Sequence, residues 1–177
     1  MGPDVFLCIR TIRFQMETPD EKYGERLKIC EGADITELED NIRCAMSILD
    51  SFPDTYITIR RHVLEYGVKN PEYIINGLIA DRKGIMSEKG ISAAFNKGIK
   101  QGCKAIVLDL DDSMARKPFN PTQIAKYISF RLDFSESAIR ECYIVYKNKA
   151  LRISYIDNNR ESLTSIIEKF KADISQP

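Results

Sequence analysis

The dipeptide Asn76-Gly77 constrains this chain more than any other pair of residues in it. It sits between two short runs, Glu72-Tyr73-Ile74-Ile75 and Leu78-Ile79-Ala80-Asp81. A two-residue hairpin loop needs positive φ at both central positions, and Asn followed by Gly meets that need at low steric cost. The pattern predicts a tight antiparallel hairpin. Side chains at the end of such a hairpin are held in fixed relation to one another. This one ends in the charged triplet Asp81-Arg82-Lys83. Alternation along a strand puts Asp81 and Lys83 on one face and Arg82 on the other.

The flanking segments read as mixed helix and strand. Val5 to Phe14 is apolar and β-branched enough for a strand. Asp34 with Glu37 resembles a capping box, and Ile35, Leu38, Ile42, Ala45, Met46 and Leu49 follow as one buried helical stripe. Thr55 to Val63 alternates as a strand carrying Arg60, Arg61 and His62 near its end. From Ser87 a helix buries Ile91, Ala94, Phe95 and Ile99 and exposes Lys89, Ser92, Asn96, Lys97 and Lys100, with Gly102 ending it. Ala105 to Leu108 is continuously apolar, as expected of a strand covered on both faces. Asn120-Pro121 caps a helix running through Leu132, two strands flank Lys147-Asn148-Lys149, and a last helix begins near Arg160. The expected fold class is α+β: an N-terminal helix followed by a small antiparallel sheet with inserted helices. Residues 1–54 supply the N-terminal strand and helix, residues 55–177 the core, and the whole forms one compact domain.

Charge is balanced overall, with 26 basic and 26 acidic residues, but not along the chain. Residues 1–59 hold 6 basic and 12 acidic groups, residues 60–104 hold 9 and 4, and residues 105–177 hold 11 and 10. A basic middle third is the kind of surface a polyanion recognises. No apolar run reaches the roughly 18 residues that span a bilayer, and the N-terminus lacks the basic start and long apolar core of a signal peptide. A cytoplasmic protein, or one delivered into a target cell by a larger system, is the expectation. The five cysteines include no CxxC pair, so zinc cages and dithiol redox chemistry lack a motif, and reduced, packed thiols are expected. No metal site or cofactor is required by these features.

Two chemistries suit the charged residues. In one, the single histidine, His62, acts as general acid or base, Lys83 stabilises charge on a phosphate and Asp81 orients Lys83. Arg60, Arg61, Arg82, Ser92, Asn96, Lys97 and Arg131 then contact substrate. In the other, Pro71-Glu72 followed by Asp81-x-Lys83 on paired strands mimics the PD-(D/E)xK pattern of Mg²⁺-dependent nucleases, in which two carboxylates bind the ion and the lysine steadies the nucleophilic water. Asp109-Leu110-Asp111-Asp112-Ser113 matches the nucleophile loop of haloacid-dehalogenase-type phosphatases, but the 64 residues after Ser113 are too few for that fold's sheet.

The ordered set NPEYIINGLIADRK, KGIKQGCKAIVLDLD, ISFRLDF and IRECYIVYKNKALRI, over about residues 55–155, resembles the barnase–EndoU–colicin–RelE-like (BECR) nucleases. The branch it is similar to is the C-terminal tRNA-nuclease domain of contact-dependent-inhibition toxins, together with domains of phage head-morphogenesis proteins and mobile elements. That resemblance implies metal-independent cleavage of RNA, in particular tRNA, by a toxin neutralised by an immunity protein. It carries over Asp81, Lys83, Ser92 and Arg131 as site residues, with His62 in the place of a general base. The same resemblance admits a non-catalytic module of a phage head or mobile-element assembly.

Overall fold

The computed structural model describes residues 19–111 and 118–175. The expected strand at Val5–Phe14 and the residues Asp112 and Ser113 lie outside them. In chain order the elements are α1 (Pro19–Tyr23), a 3₁₀ turn (Gly24–Arg26), β1 (Leu27–Ile29), α2 (Leu38–Ser51), β2 (Ile57–Ile59), β3 (Tyr73–Ile75) and β4 (Leu78–Gly84). They continue with α3 (Gly90–Lys100), β5 (Ala105–Asp109), α4 (Pro121–Ile128), β6 (Glu141–Tyr146), β7 (Lys149–Ser154), a 3₁₀ turn (Tyr155–Asp157) and α5 (Arg160–Ser175).

The fold is α+β, but the sheet is neither small nor antiparallel. Seven strands lie in the order β1-β2-β3-β4-β5-β6-β7. The pairs β2–β3, β3–β4 and β6–β7 are antiparallel, whereas β1–β2, β4–β5 and β5–β6 are parallel. The physical reason is connectivity. Each parallel pair is joined by a segment containing a helix (α2, α3 or α4), and such a crossover returns the chain in the same direction. The expected hairpin forms where the sequence puts it, with Asn76 at φ 47° and Gly77 at φ 81°. Lys147 and Asn148 turn the second hairpin at φ 47° and 57°.

Helices cover both faces of this sheet. On one side α2 packs Leu38, Ile42, Ala45 and Leu49 against Ile57, Ile59, Tyr73, Val107 and Tyr143. On the other, Ile91, Phe95, Ile124, Ile128, Leu163 and Ile167 of α3, α4 and α5 pack on Ile106, Leu108, Cys142, Ile144 and Ile153. Burial of each such side chain stabilises by roughly 1.5–3 kcal/mol. Every residue of β5 is buried, as its unbroken apolar run implies.

Several element ends differ from the sequence pattern. The helix expected from Asp34 begins at Leu38, because the Asp34 carboxylate turns back onto Thr36, accepting from its N–H at 2.9 Å and its hydroxyl at 2.7 Å. Ile35 is consequently 62% exposed instead of buried. β2 stops at Ile59, since β3 offers it only three partners, and Arg60, Arg61 and His62 lie beyond it. α3 starts at Gly90, not Ser87, and leaves Ile99 half exposed. α4 ends at Ile128, so Arg131 follows the helix rather than lying on it. Cys30, Cys44, Cys103 and Cys142 are free thiols. Among the described residues no helix is long and apolar enough to cross a membrane.

Candidate functional site

Strand β4 carries charge into both faces of the sheet. Arg82 points towards α2 and is 7% exposed. Its Nε donates to Asn41 Oδ1 at 2.9 Å, one terminal nitrogen to Asp109 Oδ2 at 2.9 Å, and the other to Glu37 Oε2 at 3.2 Å. Asp109, wholly buried at the end of β5, also receives Arg43 through Oδ2 and the Asp111 N–H through Oδ1 at 3.1 Å. Tyr73 donates its hydroxyl to the Asn41 carbonyl at 2.8 Å. Arg82, expected at a substrate surface, thus sits in a hydrogen-bonded ion network between sheet and helix.

Asp81 points the other way, towards α3, and is fully buried. Its Oδ2 is in contact with Lys83 Nζ, and otherwise neither oxygen finds a hydrogen-bond partner among the described residues. Burial pushes the Asp81 carboxyl above its ordinary value, an effect the neighbouring Lys83 partly opposes. Asp81, Lys83, Arg60 and Lys69 all act on the Cys103 thiol, which burial pushes up to about 12. Lys69 also donates to the Lys100 carbonyl at the end of α3. Lys83 keeps about a fifth of its side chain exposed.

Glu72 completes the cluster. The β3–β4 register pairs Tyr73 with Ala80, so Glu72 stands opposite Asp81 one step beyond the last paired residues. Directly opposed residues of an antiparallel pair share a face, with Cβ atoms about 5 Å apart. Glu72 Oε2 accepts the Arg82 N–H at 3.0 Å, which leaves Oε1 free of that bond. The Glu72 carbonyl accepts the Arg60 N–H at 2.7 Å, and Arg60 in turn donates to the Pro71 carbonyl at 2.9 Å. Asp81 and Lys83 are thus in contact, with Glu72 on the paired strand at the hairpin's open end.

His62 lies to one side of this cluster. Its Nδ1 is 3.5 Å from Asp34 Oδ2, its Nε2 is 3.4 Å from Asn70 Nδ2, and its N–H donates to the Gly32 carbonyl at 2.8 Å. Asn70 also clasps Val63, accepting its N–H at 2.7 Å and donating to its carbonyl at 2.9 Å. A small void of about 10 Å³ is lined by Asp34, Arg61, His62, Asn70, Pro71 and Glu72; none of Asp81, Lys83 and Ser92 lines it. Ser92 instead accepts from Arg131 at 2.9 Å, and Asn96 and Lys97 are exposed on α3. The structure therefore brings Asp81 and Lys83 into contact, sets Glu72 on the paired strand beside the void lined by Arg61 and His62, and pairs Ser92 with Arg131 separately.

Sequence reasoning missed Asn41, Arg43 and Asn70, and it read Asp34 as a helix cap and Asp109 as part of a phosphatase-like loop. Asn41 left one signal, a polar residue within the apolar stripe of α2. The others come from segments distant in sequence, and no local pattern joins them.

The cluster fits a hard divalent cation in its chemistry. Mg²⁺ is commonly bound through one or two carboxylates together with water and phosphate oxygens. Asp81, a buried carboxylate whose protein donor is the Lys83 ammonium, and Glu72 on the paired strand would be the two carboxylates of such a set. Among the described residues no group of three or more His, Cys, Asp or Glu side chains is arranged to hold a metal.

No protein-family model matches the chain, and no curated protein matches it in sequence. Among solved structures it is similar to a chain of the CdiA-CT/CdiI toxin and immunity complex from Burkholderia pseudomallei, with a TM-score of 0.46 and 20% identity over 74% of this chain and 96% of that one. A likeness of that degree carries no inference about activity.

Proposed function

We propose that the chain is a phosphodiester-cleaving nuclease whose centre is Glu72, Asp81 and Lys83, working with a divalent cation. The observation that carries this reading is the buried, donor-poor carboxylate of Asp81 opposite Glu72 and in contact with Lys83. Burying an ionisable carboxyl without hydrogen bonds is unfavourable, and a fold tolerates it mainly where the group has a task. A cation bound by the two acids would supply Lewis-acid charge to a phosphate and acidify a coordinated water. Asp81 holds the Lys83 ammonium on the α3 face, where the lysine stabilises negative charge as it develops on the phosphate. Glu72 is fixed by the Arg82 N–H, so its remaining oxygen needs little ordering to act. Arg60 and Lys69, whose charges act on Cys103 beneath α3, attract the polyanion.

A second reading has one observation in its favour. His62 stands against Asp34, and a histidine oriented by a carboxylate is suited to acid–base cleavage of RNA without a metal. One experiment separates the two. Purified protein is incubated with total RNA, single-stranded DNA and duplex DNA, in Mg²⁺ and in EDTA. The metal-dependent reading expects cleavage in Mg²⁺ that EDTA abolishes, Asp81→Asn loses and His62→Ala keeps. It also expects Mg²⁺ to raise the melting temperature of the wild type but not of Asp81→Asn, because only a state that binds the ion is stabilised by it. RNA cleavage that survives EDTA and vanishes in His62→Ala selects the second reading.

A further inference from the structure

Next to the candidate centre is a cavity of about 900 Å³, walled by residues 32–36 and by the first residues of the loop after β2. Ile35, Val63 and Leu64 give it apolar surface and are 62%, 39% and 93% exposed. Asp34, Arg61 and His62 form its polar side. Asp34, Arg61 and His62 also line a small void that Glu72 borders, so the cavity lies beside one of the two carboxylates. Single exposed apolar residues are ordinary on protein surfaces, but three around one concavity with a polar rim mark a binding site.

The polar groups are positioned. Asp34 Oδ1 is occupied by Thr36, at 2.9 Å and 2.7 Å, while Oδ2 faces His62 at 3.5 Å. The Thr36 bonds hold the Asp34 carboxyl below the usual range, so at neutral pH it is an ionised acceptor. Arg61 lies across Gly32: a Cβ on Gly32 would come within 3.2 Å of Arg61 Cγ, and Gly32 has φ +83°, a conformation that glycine adopts most easily. The guanidinium is thus laid along the cavity rim.

Apolar walls with one fixed acceptor at the edge and a cation at the mouth match a nucleobase, which has two apolar faces, an N–H-bearing edge and an attached phosphate. We infer that this cavity is a subsite for one unpaired nucleobase of the strand whose phosphate lies at Asp81 and Lys83. Ile35, Val63 and Leu64 pack on the base, Asp34 accepts from its edge, and Arg61 meets the neighbouring phosphate. A base-paired strand cannot present a base this way, so the favoured substrate is single-stranded or looped. This inference rests on the nuclease reading for the position of the strand.

The test measures binding to the full chain by fluorescence anisotropy, once in EDTA and once with Ca²⁺ in place of Mg²⁺. The probes are a labelled single strand of roughly twelve nucleotides, the same sequence as a duplex, and a strand of equal length made only of abasic residues. Ile35→Ser and Leu64→Ser lie on the surface, and circular dichroism checks that they fold. Each is expected to weaken single-strand binding about tenfold while leaving the abasic strand and the duplex unchanged. Equal weakening on all three probes, no weakening, or no binding to any probe overturns the subsite. Base-dependent binding by a protein that cleaves nothing sinks the nuclease reading and keeps the subsite. Cleavage with binding indifferent to both substitutions does the reverse.

Discussion

Asp81 and Arg82 are neighbours on one strand, both buried, and their surroundings are opposite. Towards α2, Arg82 meets Asn41, Asp109 and Glu37, and Asp109 is satisfied in turn by Arg43 and the Asp111 N–H. Towards α3, Asp81 has the Lys83 ammonium and otherwise no hydrogen-bond partner among the described residues. The first arrangement is what a buried charge needs in order to persist at tolerable cost, and its role is to fasten α2 to the sheet. The second leaves coordination capacity unused, which is what a binding or catalytic carboxylate needs. Burial alone does not distinguish structural from functional charge; the number of satisfied partners does.

The largest effect is expected on the α2 side. Asp109→Ala would leave the Arg82 and Arg43 guanidinium groups without their shared buried partner. Breaking a buried ion network in this way costs about 3–5 kcal/mol. Urea denaturation should show a loss of that size, and a loss below about 1 kcal/mol would mean that Glu37, Asp40 and Asp111 can replace Asp109.

Lys83→Met acts on the other face and should be smaller and dependent on pH. Without the ammonium, Asp81 is a buried acid with no cation in contact, and its carboxyl moves further above the ordinary 3.8. A raised carboxyl pKa means that the folded state holds its proton more tightly than the unfolded state does. The variant is therefore close to wild-type stability below about pH 4, and it loses stability as pH rises above that value until Asp81 ionises in the fold. Thermal melts from pH 3.5 to 8 should show the gap to wild type widening upward. A gap constant with pH would mean that solvent already reaches Asp81.

How legible this was from sequence differs between the two faces. The hairpin, its Asn76-Gly77 turn and the opposite facing of Asp81 and Arg82 follow from period-two alternation and turn chemistry, which are local. Glu72 opposite Asp81 follows from the same register. The parallel pairings of β4, β5 and β6 do not, because a helix between two strands permits a parallel pair without requiring one. Arg82's burial was equally hidden: its partners come from α2 and from the end of β5, and a charged strand residue is exposed more often than not. The exposure of Ile35 turned on whether Asp34 would cap a helix or close a turn on Thr36, and both fit the same residues.

The smallest expected stability change, and the sharpest test of the contrast, is Asp81→Asn. A neutral amide in that place removes the cost of burying a carboxylate, and it frees Lys83, whose side chain is partly exposed, to turn its ammonium to solvent. Against this stands the loss of the Asp81–Lys83 contact, which a partly exposed lysine recovers through water. The two nearly cancel, so stability at pH 7 should stay within about 1 kcal/mol of wild type. Cleavage should fall at least about a hundredfold, because the group that anchors the cation and aligns Lys83 is gone. Equilibrium denaturation and initial cleavage rates on one protein preparation measure both. A variant that stays folded yet loses activity assigns Asp81 to chemistry; one that unfolds like Asp109→Ala would place the α3-facing carboxylate with the structural network and erase the distinction between the two sides of β4.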